Sequence, residues 1–213
     1  MLFRKSKPRD DEFEFRGTKH ALDGHAALYA VERMSCDAIV VRDVPELAEI
    51  TGPSRHLSPE GYEPFAGQPV VLGRAGDSRL LLGRLAGYAG AGLRAAGITT
   101  SIDSAIDAFT AGSGKRLTYV VNLTCCAPQR HSDAVRGSHD EYYRAASTGC
   151  FLLFAKNAQE TADLSLIAHR IAESSLTPGI CAQDFYRTSH SVQTVMLPGR
   201  ELAALYLGRP GDA

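Results

Sequence analysis

Cys150-Phe-Leu-Leu-Phe-Ala155 is a continuous apolar run, Asn157-Ala-Gln-Glu160 follows it with the spacing of a helix capping box, and Gly179-Ile-Cys-Ala182 returns as a second apolar run. In a capping box the first side chain accepts from the backbone N–H three residues on, so Asn157 predicts the start of a helix. Leu164, Ile167, Ala168, Ile171 and Ala172 then recur at the spacing of one helical face. The order is strand, helix, strand. Because both runs are continuous rather than alternating, each strand predicts burial on two faces, as in a parallel sheet covered by helices.

The same alternation extends toward the N-terminus. Asp23 is a good N-cap, and Ala26, Ala27, Ala30, Val31 and Met34 mark the buried face of a first helix. Asp37 to Val41 reads as a strand, followed by a loop in which Pro45, Gly52, Pro53, Pro59, Gly61 and Pro64 cluster, and Gln68 to Leu72 as a second strand. Asp77 to Leu93 and Ser101 to Ala111 read as helices with a short strand, Gly97 to Thr100, between them. Leu117 to Leu123 is a further strand and Ser138 to Ala146 a helix. The fold class is α/β: a three-layer α/β/α domain with a mainly parallel sheet, in which Leu117–Leu123 and Cys150–Ala155 are expected as neighbouring buried strands. Residues 1–15 are charged and unpatterned and read as a mobile leader, 16–199 as the domain, and 200–213 as a C-terminal tail. In such sheets ligands bind outside the carboxyl ends of the strands.

Composition bounds the partners. The 213 residues are 44% hydrophobic and 22% charged, as in globular proteins that fold, and the net charge of -1 supplies no basic field for nucleic acid. A bilayer span needs roughly 20 apolar residues, far more than the run at Cys150 to Ala155 offers. No membrane partner is expected. Met1 to Lys19 carries six basic and four acidic residues without an apolar core, so it is no export signal and a cytoplasmic location is expected. The five cysteines, at 36, 125, 126, 150 and 181, are odd in number and contain no C-x-x-C pair, which predicts reduced core thiols and neither a structural zinc site nor an iron–sulfur cluster in this chain.

Three stretches imitate ligand motifs. Gly112-Ser-Gly-Lys-Arg116 lacks the upstream Gly and the downstream Ser or Thr of a phosphate loop, having Phe109 and Arg116 there. Gly90-Ala-Gly92-Leu-Arg-Ala95 follows a predicted helix where a dinucleotide fingerprint needs a strand. His131 and His139 are potential metal ligands with no carboxylate or thiolate pattern to complete a site, so a surface role is expected.

Gly137-Ser-His139-Asp-Glu141, Ser147-Thr-Gly149, Gln159-Glu160, Leu166-Ile-Ala-His169 and Asp184-Phe-Tyr-Arg187-Thr-Ser-His190 occur in one order and spacing, with Asp23-Gly24 and Thr99-Thr100 upstream. In these the chain resembles the N-terminal domain of the pyruvate:ferredoxin (flavodoxin) oxidoreductases, from about Arg16 to Pro198. The resemblance implies the thiamine diphosphate-binding fold, in which this domain holds the pyrimidine half of the cofactor. A second domain carries Mg²⁺ and diphosphate, and others carry iron–sulfur clusters; separate oxidoreductase subunits would supply these.

The departures implied by the resemblance fall at the chemistry. The carboxylate that hydrogen-bonds the pyrimidine nitrogen aligns with Leu81, unless a four-residue gap brings in Asp77. A substrate-contacting Thr aligns with Val44, and a substrate-binding Arg with Cys126, which forfeits a charge for a 2-oxo acid carboxylate. No catalytic or cofactor-binding residue is therefore assigned, and the isolated chain is expected to bind no thiamine diphosphate or Mg²⁺ unless a partner subunit completes the site. Arg187 and His190 are candidates for a subunit interface or for fixing their loop, Arg187 through Asp184 or Glu141. The expected function is a subunit or derivative of a 2-oxo acid:ferredoxin oxidoreductase with weak or no catalysis of its own. The alternative is a non-catalytic binding, assembly or regulatory protein. Partners are other oxidoreductase subunits or a second copy in a homo-oligomer.

Overall fold

The computed structural model describes residues 17–51, 62, 64, 70–127 and 136–208. The leader, most of the proline-rich loop and His131 lie outside the described residues. The elements are β1 (Gly17–Leu22), α1 (Gly24–Ser35), β2 (Ala38–Arg42), α2 (Ala48–Thr51), β3 (Val71–Ala75), α3 (Ser78–Gly90), β4 (Ala95–Thr99), α4 (Ile106–Gly114), β5 (Tyr119–Cys125), α5 (Asp140–Arg144), β6 (Phe151–Ala155), α6 (Ala158–Ser175), β7 (Gly179–Asp184), β8 (Gln193–Pro198) and α7 (Arg200–Leu207).

Side-chain caps start the long helices. Asp23 accepts from the Ala26 N–H at 2.8 Å, Asp77 from the Leu80 N–H at 2.7 Å and Asn157 from the Glu160 N–H at 2.8 Å. The box at α6 is left open on its other side, because the Glu160 carboxylate accepts from the Lys156 N–H at 3.1 Å. The two glycine-rich mimics fall at the ends of α3 and α4, where the chain leaves a helix.

Six strands form one parallel sheet in the order β3-β2-β4-β5-β7-β6. Side chains alternate across it. Val40, Val121, Leu123, Ile180 and Ala182 meet Leu81, Leu85 and Phe109 on one face. Ile39, Val41, Ala96 and Ile98 meet Leu28 and Tyr29 of α1 on the other, where Val120 and Cys181 meet Ala168 and Ala172 of α6. This is the three-layer α/β/α arrangement. On the first face a Cβ at Gly97 would stand 2.7 Å from Leu85 Cδ1 and 2.8 Å from Leu81 Cδ2, so this glycine lets α3 lie against β4.

Four features differ from the sequence reading. The strands at 119–125 and 151–155 are not neighbours: β7 lies between them, and β6 is an edge strand with Phe151 to Phe154 half-buried. The chain returns through α6 to pair β7 with both, an order that local patterning does not encode. β1 and β8 form a separate antiparallel ribbon. Residues Arg200–Leu207 are not tail but helix α7, with Ala203, Ala204 and Leu207 buried against α1 and α6. Finally, the buried face of α6 is turned from the predicted stripe: Thr161, Ser165 and His169 are buried while Leu164, Ile167 and Ile171 are only partly so.

Candidate functional site at the carboxyl edge of the sheet

Loops from β2, β4, β5 and β7 meet at the carboxyl end of the sheet. The turn after β7 is tight: Ser189 and Thr188 N–H groups return to the Asp184 carbonyl, and Tyr186 takes a left-handed φ of 64°, uncommon for a residue with a Cβ. That turn holds α1 by two backbone bonds, Gly24 N–H to Thr188 O at 2.9 Å and His25 N–H to Ser189 O at 3.2 Å. A Cβ on Gly24 would lie 2.6 Å from the Thr188 oxygen. Glycine at 24 is what permits the approach, and it sets His25 beside His190.

The two imidazoles converge on one carboxylate. His25 Nδ1 lies 3.0 Å from Glu49 Oε1 and His190 Nε2 lies 3.3 Å from the same oxygen. Their outer nitrogens are held by hydroxyls, His25 Nε2 by Thr124 Oγ1 at 2.9 Å and His190 Nδ1 by Ser189 Oγ at 2.7 Å. Tyr186 stacks on the His190 ring and Phe185 meets it edge-on. The hydrogen bond from His25 holds the Glu49 carboxyl below its ordinary value. Burial, then the neighbouring His25, holds His190 below its own.

Beside this cluster, His139 Nε2 meets Asp184 Oδ1 at 2.6 Å, and the buried Glu141 accepts from Ser101 Oγ at 3.1 Å and the Ile102 N–H at 2.8 Å. The two sequence motifs, 137–141 and 184–190, are thus brought together with the Thr99-Thr100 loop. Asp184 and Glu141 are engaged by these groups, and Arg187 projects as an exposed side chain with no hydrogen bond or ion pair among the described residues. His190 fixes its loop through Ser189 and Glu49.

The remaining predicted positions do not converge on a polar site. Leu81 is 1% exposed in the core under α3, and Asp77, at the exposed start of that helix, caps it. Val44 packs against the cluster around Ile39 and Leu47. Cys126 is buried and bridges Gly137 by a short antiparallel contact, with its thiol raised first by burial and then by Glu46. Burial likewise pushes the Cys125 thiol up to about 12. All five sulfurs are free thiols.

Sequence reasoning missed a second polar cluster, deeper in the domain. Glu32 accepts from His169 Nε2 at 2.8 Å, Cys36 Sγ at 2.9 Å, Ser165 Oγ at 2.5 Å and Asn122 Nδ2 at 2.6 Å. Glu32 and Cys36 are four apart at the end of helix one, but Asn122, Ser165 and His169 come from distant segments, so no window of sequence announces the cluster. His25, Glu49 and Thr124 were also passed over, since residues from three separate segments leave no local pattern.

Comparison with known proteins places this frame. The family model described as "Pyruvate flavodoxin/ferredoxin oxidoreductase, thiamine diP-bdg", a thiamine diphosphate-binding domain, matches residues 82–210. The chain belongs to this oxidoreductase family. A pyruvate-flavodoxin oxidoreductase of Klebsiella pneumoniae is 26% identical over 203 residues, 91% of this chain and 17% of that protein. The pyruvate synthase subunit PorA of Pyrococcus furiosus is 36% identical over 63 residues, 29% of this chain and 16% of PorA. Among solved structures, a 2-oxoglutarate:ferredoxin oxidoreductase from Magnetococcus marinus superposes with a TM-score of 0.64 at 15% identity, covering 93% of this chain and 34% of that one. That likeness is one of fold. The oxidoreductase relatives are several times longer than the segment matched. Among the described residues no helix is long and apolar enough to cross a membrane.

Proposed function

We propose that this chain is the pyrimidine-side domain of a 2-oxo acid:ferredoxin or flavodoxin oxidoreductase assembly, retained as a scaffold with weak or no catalysis of its own. The observation that carries the reading is Leu81, buried against Gly97 and Leu85 where the family resemblance calls for a carboxylate. A hydrocarbon side chain neither hydrogen-bonds a pyrimidine nitrogen nor exchanges a proton. Val44, packed against the apolar cluster around Ile39 and Leu47, and the buried Cys126 offer neither the hydroxyl nor the cation of the family pattern. Asp77 is engaged with its own helix. The residues present do not fit thiamine diphosphate as its pyrimidine anchor, so a second thiamine-type domain in the assembly would have to supply Mg²⁺, the diphosphate site and most of the affinity.

Calorimetric titration of the chain with thiamine diphosphate and Mg²⁺ tests this. No binding heat is expected, and micromolar binding by this chain alone would overturn the reading. Pyruvate-dependent ferredoxin reduction by co-purified oxidoreductase subunits, with and without this chain, then separates a required scaffold from a bystander. A second reading, a non-catalytic assembly or regulatory protein, draws support from Arg187, which stands exposed in the 184–190 turn without a partner among the described residues.

A further inference from the structure

We propose that His25, Glu49 and His190 bind a divalent transition metal, Zn²⁺ foremost, at the carboxyl edge of the sheet. The three offer ligand atoms that all lie within 4.8 Å of one another. Around a tetrahedral zinc with bonds near 2.0–2.1 Å, neighbouring ligand atoms stand about 3.3–3.4 Å apart. His190 Nε2 to Glu49 Oε1 is 3.3 Å and His25 Nδ1 to the same oxygen is 3.0 Å. The third side, between the two imidazole nitrogens, likewise lies within 4.8 Å.

The surroundings carry the inference further than the distances. A metal-binding imidazole presents one nitrogen to the ion and has its other nitrogen fixed by a hydrogen bond, which sets tautomer and ring angle. Both imidazoles here have that second partner, Thr124 Oγ1 for His25 and Ser189 Oγ for His190. Both hydroxyls belong to fully buried residues, so the rings are oriented before any ion arrives. Two histidines and a glutamate suit zinc and its neighbours, whereas Mg²⁺ and Ca²⁺ prefer all-oxygen sets. Three protein ligands leave a fourth position, and the side chains of Glu49 and His190 are 35% and 26% exposed, which gives an ion a way in. The deeper Glu32–Cys36–His169 group fails this requirement: its side chains are sealed from solvent, and Glu32 is already saturated by donors.

The test uses the metal-free full chain and Co²⁺ as a visible probe, followed by Zn²⁺ competition. One equivalent of Co²⁺ with the absorption bands of a four-coordinate site, displaced by Zn²⁺, is expected. His25 is fully buried, so its removal risks the fold; Glu49→Gln and His190→Gln, on half-buried side chains, are the informative variants. Each should weaken Co²⁺ binding at least tenfold with circular dichroism unchanged, and Thr124→Val, acting through His25, should weaken it about 10- to 100-fold. Three results would overturn the site: no Co²⁺ bands in the parent chain, equal binding in Glu49→Gln, or a thiolate-to-cobalt band that Cys36→Ser removes.

Discussion

Glu32 of α1 and His169 of α6 stand 2.8 Å apart with neither side chain open to solvent. The pair joins the two helices over the middle of the sheet, and Asn122 of β5 donates to the same carboxylate from beneath. A buried carboxylate is costly to desolvate, and the four donors around Glu32 offset that cost. Removing the acid strands its donors. Glu32→Ala should therefore destabilise the domain by about 3–5 kcal/mol in urea denaturation. A loss below about 1 kcal/mol, the size of an ordinary surface pair, would show that the network is incidental to the packing of α1 on α6.

The same carboxylate predicts acid sensitivity. Burial alone would raise its pKa, but the neighbouring His169 and the hydrogen bonds from His169, Cys36 and Ser165 outweigh burial and hold it down from 4.5 to about 2. A group whose folded value lies below its unfolded one stabilises the fold above the unfolded value and loses that contribution as protons return. The Glu32 contribution is thus whole above about pH 4.5 and fades toward pH 2. Melting temperatures measured from pH 6 to pH 2 should fall less steeply in Glu32→Gln than in the parent chain. Parallel slopes would remove Glu32 as a source of the acid response.

What was legible in the sequence was local. Asp23, Asn157 and the continuous apolar runs announce helix starts and two-sided strands because caps and burial act through residues near in the chain. The order of strands was not legible: β7 separates β5 from β6 through a return path that no window of sequence contains. Nor was Glu32, a charge set into an apolar helix face whose partners other than Cys36 lie about 90 and 135 residues away. At the carboxyl edge the Arg-Thr-Ser-His stretch pointed to the right turn. Its partners His25 and Glu49 became visible only once Gly24 brought α1 against it.

Arg94 ties the C-terminal end of helix α7 to the domain. Arg94, 9% exposed at the entry to β4, makes two bonds to Glu173 of α6, at 2.6 and 3.1 Å, and donates to the carbonyls of Ser35, Leu207 and Gly208. The planar fork serves three helix ends at once, which a lysine ammonium cannot copy. Arg94→Lys should cost about 1.5–3 kcal/mol, and hydrogen exchange should quicken first at 200–207. Uniform exchange along the chain would mean that α7 is held by its apolar face alone.

Restoring the missing acid offers a direct trial of the scaffold reading. Leu81→Glu places a carboxylate within the apolar cluster that holds Leu85, Ile102 and Phe109. An unpaired buried charge costs about 3–5 kcal/mol, so the variant should melt earlier and still give no thiamine diphosphate binding heat. If it folded as stably as the parent and bound the cofactor, position 81 would face a working pocket, and the scaffold reading would be wrong.

Arg187 carries the last prediction. It sits in a turn held from within by Ser189, His190 and the Asp184 carbonyl, so the turn does not need the arginine for its shape. Asp184 and Glu141, the acids nearest in the motif, are engaged by His139 and by Ser101 with Ile102. A guanidinium left exposed beside the aromatic Tyr186 resembles the arginine and aromatic pairs that anchor protein interfaces. A hot-spot arginine truncated to alanine costs about 2 kcal/mol or more, roughly a thirtyfold loss of affinity. Arg187→Ala should then weaken self-association in sedimentation, or capture of oxidoreductase subunits in pull-down, by that order, while circular dichroism and melting temperature stay within error. Arg187→Lys should recover only part of the affinity, because the ammonium keeps the charge without the fork. Full recovery would reduce the role to charge alone, and unchanged assembly in both variants would leave the turn with no part in the interface.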